Sequence, residues 1–350
     1  MTTVETPLVF VWLGETAPDY LEAALSLSVR DSGLEVVLVG PSTLAGSTPA
    51  GCDFVSLESF YEPIESFENR IASDHEFRDG FWLRTSERFL VLDQFMERAG
   101  LDSMMHAELD CLTFGLDELV HQLNSSRKSG IFVPFDRSER CVASILYCNE
   151  RRSLRALADW IGSDVEFAND MEMLAIYAGV APASVIGLPT VEMLLDPELR
   201  NRVPCRSLSV QEIGGVVDAA SLGQWVAGID PRNLAVGRLH LNHFINPESI
   251  GDPERFRGIK IQLDEGSPFV DGLGISRLRL YSLHLHSKIH PTITSQTRLE
   301  RLLRRSRRRR RSIVSFDVWS YVRLSLRSPV VLGRRLRSRL SWCRVSATVA

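Results

Sequence analysis

Two short stretches of this 350-residue chain carry residue types at spacings suited to metal and phosphate chemistry. The first is Glu108-Leu109-Asp110, which follows a β-leaning run over 102–107. Carboxylates at i and i+2 leaving a strand tip project to one side. There they can hold a hard divalent ion such as Mn²⁺ or Mg²⁺ and leave positions free for phosphate oxygens. Glu-x-Asp is common by chance in a chain with 44 acidic residues. Its place gives it weight, because open α/β sheets bind ligands at the carboxyl ends of strands. The second stretch is Leu283-His284-Leu285-His286-Ser287-Lys288. On an extended strand, residues 284, 286 and 288 alternate onto one side, which gathers two imidazoles and an ammonium as a set for metal and diphosphate. The same pattern suits an amphipathic strand with surface histidines, and the residues alone leave both readings open.

The elements that must position these groups read as an α/β protein. Leu8–Leu13 is a buried strand, too short and apolar for a helix. A helix from Asp19 to Arg30 follows, with Leu21, Ala24, Leu25 and Val29 on one face, and Gly33 leads into a second buried strand over Glu35–Val39. Strand–helix–strand of this length is the unit of a parallel sheet. Phe81–Arg98 predicts a longer helix that bears Thr85 and Arg88 and has Phe89, Leu92, Phe95 and Met96 at core spacing; Gly100 closes it. Strands are expected over 102–107, 130–134 and 142–147, and helices over 117–123, 151–161 and 170–178. Beyond about 180 the pattern loosens into Pro-, Gly- and Asp-rich loops, with short strands expected near 260–263 and 278–283. Long loops on such a scaffold are where substrates bind or are plain surface excursions.

With 44% hydrophobic and 24% charged residues, the chain can bury a sizeable core and is neither low-complexity nor collagen-like. The opening residues have no basic segment followed by an apolar one, so no secretory signal is expected. No run approaches the roughly 20 apolar residues of a spanning helix. Six scattered cysteines without a Cys-x-x-Cys pair read as reduced, buried thiols of a cytoplasmic protein rather than a zinc site.

The ordered combination of Phe81–Met96, His106–Asp110, Asn169–Met171, Leu222–Asn233 and Leu283–Lys288 is similar to a group of bacterial proteins related to nucleotide-sugar glycosyltransferases of the GT-A fold. The resemblance runs over about residues 7–296, with a more distant likeness to glycogenin-like enzymes. In those an arginine-bearing helix precedes an Asp-x-Asp strand tip by about twenty residues, and Arg88 precedes Asp110 by 22. The resemblance implies an α/β fold, GT-A-like (Rossmann-like), with a mixed, mostly parallel central sheet flanked by helices. It divides the chain into a glycosyltransferase domain, 1–296, and an Arg-rich extension, 297–350.

Residue by residue, the resemblance implies that Glu108, Asp110 and His286 hold Mn²⁺ or Mg²⁺. Lys288 and Arg88 would lie beside the diphosphate of a UDP- or GDP-sugar, with Thr85 on the same helix. Trp12 and Gly14, after the first strand, would face the nucleotide, although Trp12 equally suits the core. Asp170 and Asp230 are the catalytic candidates, with Asn169, Asp218, Arg232 and Asn233 on the sugar and acceptor side; Asp170 equally suits a helix cap. Glu108 departs from the family's aspartate, and its longer arm changes reach. The implied activity is a hexosyltransferase-like transfer to a glycan or lipid-linked acceptor in surface polysaccharide synthesis. A catalytically inactive scaffold of the same pathway is the alternative. A nucleotidyltransferase is disfavoured, because Gly14-Glu15-Thr16-Ala17 is no basic phosphate loop.

Charge is divided along the chain. Residues 297–350 hold 16 arginines against Glu300 and Asp317, a net of +14, so the overall −4 leaves −18 on the first 296 residues. Arginine interleaved with Ile313, Phe316, Trp319 and Tyr321 is the composition of an interfacial helix. It suits an anionic membrane surface, on the inner face of a plasma membrane, or a solvated extension. Nucleic acid is not an expected partner, because the acidic body repels it.

Overall fold

A computed structural model describes residues 6–63, 80–163, 169–227, 256, 258–264, 266–272 and 274–286. The chain begins with β1 (Leu8–Val11), α1 (Leu21–Asp31), β2 (Val36–Gly40) and β3 (Cys52–Ser56). Next come α2 (Phe81–Ala99), β4 (Met104–Ala107), β5 (Cys111–Thr113), α3 (Leu116–Ser125), β6 (Ile131–Arg137), β7 (Arg140–Cys141) and β8 (Ile145–Cys148). After α4 (Arg151–Ile161) and α5 (Asp170–Val180) the elements shorten: β9 (Val185–Leu188), α6 (Val191–Leu195), α7 (Leu199–Arg202), β10 (Arg206–Ser207), α8 (Val210–Ile213), β11 (Gly215–Val216) and α9 (Ser221–Ala227). The last described elements are β12 (Lys260–Asp264), β13 (Ser267–Gly272), β14 (Ile275–Leu280) and β15 (Ser282–His284).

The central sheet has the order β10-β9-β6-β8-β4-β1-β2-β3, with β7 paired to β6. Five of its pairings are parallel, and β8 and β7 supply the antiparallel ones. The chain runs outward from β1 to β3, then returns to lay β4 on the other side of β1. That reversal makes the β1/β4 boundary a topological switch point, where open α/β sheets hold their ligands.

Apolar strands buried on both faces make this sheet. On β1 and β2, Val9, Val37 and Val39 join one core; Leu8, Phe10, Val36 and Leu38 join the other. The first core is covered by α2, α4 and α5 through Phe89, Leu92, Phe95, Leu154, Leu157, Met173 and Tyr177. The second is covered by α1 and α3 through Leu21, Leu25, Leu116, Leu119 and Leu123. A third cluster joins α9 to β12–β14 through Leu222, Trp225, Ile261, Val270 and Leu280. Gly100 ends α2 in the left-handed region at φ +64°, with its N–H on the Glu97 carbonyl. That turn frees the chain to enter β4 directly.

The α/β reading, the helices flanking the sheet and the strand expected near 260–263 match the structure; β3 and the short elements from β9 to α9 do not follow from local pattern. Val185–Leu188 becomes a strand because it pairs in parallel with Ile131–Pro134. On its other side Gly187 lets β10 pair closely, since a Cβ there would meet the Ser207 hydroxyl at 2.3 Å. The strand expected over 278–283 is two strands broken at Tyr281, with β14 on β13 and β15 on β5. No helix among the described residues is long and apolar enough to cross a membrane.

His106, on β4, is buried with Nδ1 2.9 Å from the Val9 carbonyl. Burial, and then the positive charge of Arg88, push its pKa down to about 3. The unfolded chain therefore binds a proton that the folded chain refuses between about pH 6.5 and 3. Stability contributed by neutral His106 is complete above pH 6.5 and is lost as pH falls toward 3. Unfolding free energies measured across that window should fall by up to about 1.4 kcal/mol per pH unit on this account, and His106→Gln should flatten the slope.

Candidate metal and phosphate site

The site forms where β4 ends. Met104 and His106 point to the α2 side of the sheet, as membership of Met104 in the first core shows, so alternation carries Glu108 to the same side. There it meets α2, and Arg88 donates through Nη1 to Glu108 Oε1. The other terminal nitrogen of Arg88, Nη2, donates to Asp170 Oδ2 at 2.6 Å. Burial alone would lower the basicity of Arg88, but Glu108 and Asp170 raise it above the ordinary value. The Asp170 carboxyl is lifted by burial and pulled back by Arg88 and by the neighbouring Thr85 hydroxyl. Thr85 also reaches the Trp82 carbonyl at 3.1 Å.

The segment after β4 is a tight turn: the Cys111 N–H donates to the Glu108 carbonyl at 2.9 Å, and β5 departs from there. β15 then pairs antiparallel with β5, setting His284 opposite Cys111, and the Leu285 N–H donates to the Asp110 carbonyl at 2.6 Å. His284 Nε2 consequently lies 3.2 Å from Glu108 Oε2 and 3.1 Å from Asp110 Oδ1. Among the described residues these three form a group whose ligand atoms all lie within 4.8 Å of one another. Adjacent ligands on a hard divalent ion at bond lengths of about 2.1 Å stand about 3 Å apart. Two carboxylates and one imidazole at these separations therefore fit Mn²⁺ or Mg²⁺.

The imidazole in this group is His284, whereas the resemblance pointed to His286. The reason is local. Strand geometry stops at His284, and the His286 N–H turns back to the His284 carbonyl at 3.0 Å. The expected alternation therefore ends at His284, and the His286 ring lies edge-on to His284 with centroids 5.1 Å apart. No feature of the sequence distinguishes the two histidines; the register of β15 on β5 does.

Asn169 caps α5, accepting from the Met171 and Glu172 N–H groups at 3.1 and 3.0 Å. Asp170 is therefore not the cap, and as the first helical residue it turns its carboxyl to Arg88. Trp12 and Gly14 follow β1 at the switch point. The partly exposed Trp12 ring donates its indole N–H to the Thr16 carbonyl at 3.0 Å and lies against Gly14, where a Cβ would meet it at 2.9 Å. Asp218 is fully buried and has its carboxyl raised to about 6 by burial, opposed by the His284 N–H and other backbone donors. Asp230, Arg232, Asn233, Lys288 and the 297–350 extension lie outside the described residues.

No family model matches the sequence, and neither does any curated protein. Solved structures with a partial likeness include mouse xyloside xylosyltransferase 1 in its apo form. It has 11% identity and a TM-score of 0.37, covering 53% of this chain and 86% of that one. The galactosyltransferase LgtC, in complex with donor and acceptor sugar analogues, has 14% identity and a TM-score of 0.36, covering 57% and 84%. A cytidylyltransferase from Leptospira borgpetersenii serovar Hardjo-bovis has 11% identity and a TM-score of 0.31, covering 50% and 70%. At TM-scores below 0.5 these likenesses carry no weight for the chemistry of this chain.

Arg88→Met leaves Glu108 and Asp170 facing each other without a cation, and should cost about 3–5 kcal/mol in denaturant titrations at neutral pH. The loss should shrink in acid, where the Asp170 carboxyl, lifted by burial, protonates. Asn169→Ala removes only the cap and should cost about 1 kcal/mol in the same assay.

Proposed function

We propose that this chain is a metal-dependent glycosyltransferase of GT-A type, transferring a sugar from a nucleoside-diphosphate donor to a glycan or lipid-linked acceptor. The observation that carries the reading is the Glu108–Asp110–His284 group at the carboxyl end of β4. It sits at the switch point of the sheet, where, among the described residues, the buried guanidinium of Arg88 lies among the carboxyl groups of Glu108, Asp110 and Asp170. That excess of negative charge invites a divalent cation, and the sequence resemblance supplies the reaction class.

In this reading Glu108, Asp110 and His284 hold Mn²⁺ or Mg²⁺. The ion, when bound, offsets the charge that develops on a departing nucleoside diphosphate. Arg88 keeps Glu108 pointed at the ion and holds Asp170 at the mouth of α5, on the donor-sugar side. Trp12 and Gly14 offer a partly exposed aromatic face and close backbone access at the tip of β1, where a nucleotide would lie. Lys288 and Asp230 remain candidates for the diphosphate and for the acceptor hydroxyl. The 297–350 extension, at +14, would hold the enzyme against an anionic membrane surface near a lipid-linked acceptor. Surface polysaccharide synthesis is the process that this combination suits.

Calorimetric titration of UDP and of GDP into the full chain, with and without Mn²⁺, tests the reading. One nucleotide should bind in a Mn²⁺-dependent manner, and Asp110→Ala should weaken that binding by about 100-fold or more. Mn²⁺ affinity should also fall in acid, because metal ligands must be deprotonated to bind. A folded chain that binds neither nucleotide with Mn²⁺ would instead be a scaffold.

A further inference from the structure

The structure assigns to Asp218 the positioning of His284: a buried carboxylate that gathers three backbone N–H groups and so sets the imidazole beside Glu108 and Asp110. The inference rests on the metal reading of that group and adds a residue that never touches the ion.

Asp218 is fully buried, in the turn between β11 and α9. Its Oδ2 accepts from the His284 N–H at 2.9 Å and the Gly223 N–H at 2.8 Å. Its Oδ1 accepts from the Leu222 N–H at 3.1 Å. The backbone of the same residue is used in full. The Asp218 N–H donates to Ser282 Oγ at 3.2 Å, and its carbonyl accepts from the Ser144 hydroxyl at 2.9 Å. Ser144 in turn accepts the Glu108 N–H on its carbonyl at 3.0 Å. One residue thus ties the start of α9 to β15 directly and, through Ser144, to Glu108 in the turn after β4.

A carboxylate so far from water is costly unless its oxygens are satisfied. The Leu222 and Gly223 amides that cap α9 engage one oxygen each. The His284 N–H is a second donor on Oδ2, which the two lone pairs of a carboxylate oxygen accommodate. The approach of α9 is equally specific. At Gly223 a Cβ would lie 1.8 Å from the His284 carbonyl oxygen, so only glycine lets the helix come this close.

The imidazole is held at its other end as well. His284 Nδ1 lies 3.4 Å from the carbonyl of Ala219, the residue after Asp218. A proton on Nδ1 leaves the Nε2 lone pair facing Glu108 and Asp110. Histidine ligands are commonly oriented through the far ring nitrogen in this way, and loss of such support weakens metal binding by about 10–100-fold.

The test uses the full chain and Mn²⁺ alone, with free Mn²⁺ followed by its electron paramagnetic resonance signal. Asp218→Asn and Gly223→Ala should each weaken Mn²⁺ affinity by about 10–100-fold while circular dichroism stays that of the wild type. Raising Mn²⁺ to saturation should then restore Mn²⁺-dependent nucleotide binding in Asp218→Asn, a rescue that a merely structural role does not allow. Wild-type affinity in both folded variants overturns the inference, as does loss of nucleotide binding that saturating Mn²⁺ fails to restore. Should Asp218→Asn not fold, Ser282→Ala removes only the hydroxyl that accepts the Asp218 N–H. It should lower affinity several-fold, and an unchanged affinity overturns the inference. Asp110→Ala keeps the two levels apart. If wild type binds no Mn²⁺, or Asp110→Ala binds as wild type does, the metal reading itself falls. If Asp110→Ala loses the ion and Asp218→Asn does not, only the role of Asp218 falls.

Discussion

The guanidinium of Arg88 lies between Glu108 and Asp170 with almost no water to screen it, and its two terminal nitrogens are both engaged. Such a contact costs desolvation at every partner and holds only while all of them stay in place. Its consequence is geometric. Helix α2, the turn after β4 and the first residue of α5 meet at one point, although Arg88 and Asp170 are 82 residues apart. The carboxyl edge of the sheet is built around that point. The cores above and below it do the work of stability, and Arg88 decides where the carboxyl groups face.

A second constraint completes the site from the far end of the described chain. Three residues of β15 pair with three of β5, and Tyr281 anchors the approach. Its hydroxyl donates to the Ile213 carbonyl at 2.9 Å, its N–H donates to the Val216 carbonyl, and its carbonyl accepts from Phe114. A shift of this pairing by one residue would turn His284 to the other face of the ribbon. The ligand group therefore depends on strand register more than on side-chain preference, and the turn holding Asp218 braces that register from behind.

Much of the fold was legible because its elements are long or strongly patterned. α1, α2, α4 and α5 emerged from apolar spacing, and β1, β2 and β4 from short buried runs between turn residues. β3 and β9 were missed for a shared reason. Cys52–Ser56 carries a charged residue, and Val185–Leu188 is four residues interrupted by glycine; each becomes a strand through a neighbour already in the sheet. The break at Tyr281 was hidden too, since Leu278–Leu283 reads as one continuous β-leaning run while its halves join different sheets.

At the site the division is similar. Residue type and spacing were enough to single out Glu108 and Asp110, because a two-residue period leaving a strand decides which way two carboxyls point. Arg88 and Asp170 were legible as candidates, but their contact was not, since nothing local links a helix face at 88 to a helix start at 170. The nearness of His284 to the carboxylates belongs to the tertiary structure: both imidazoles have the same chemistry, and the pairing of Cys111 with His284 brings that one to Glu108 and Asp110. Local pattern determines which elements form and which side chains share a face, because those effects act within a few residues. Which faces meet is decided by long-range pairing and by burial of charge, and these exist only once the chain has folded.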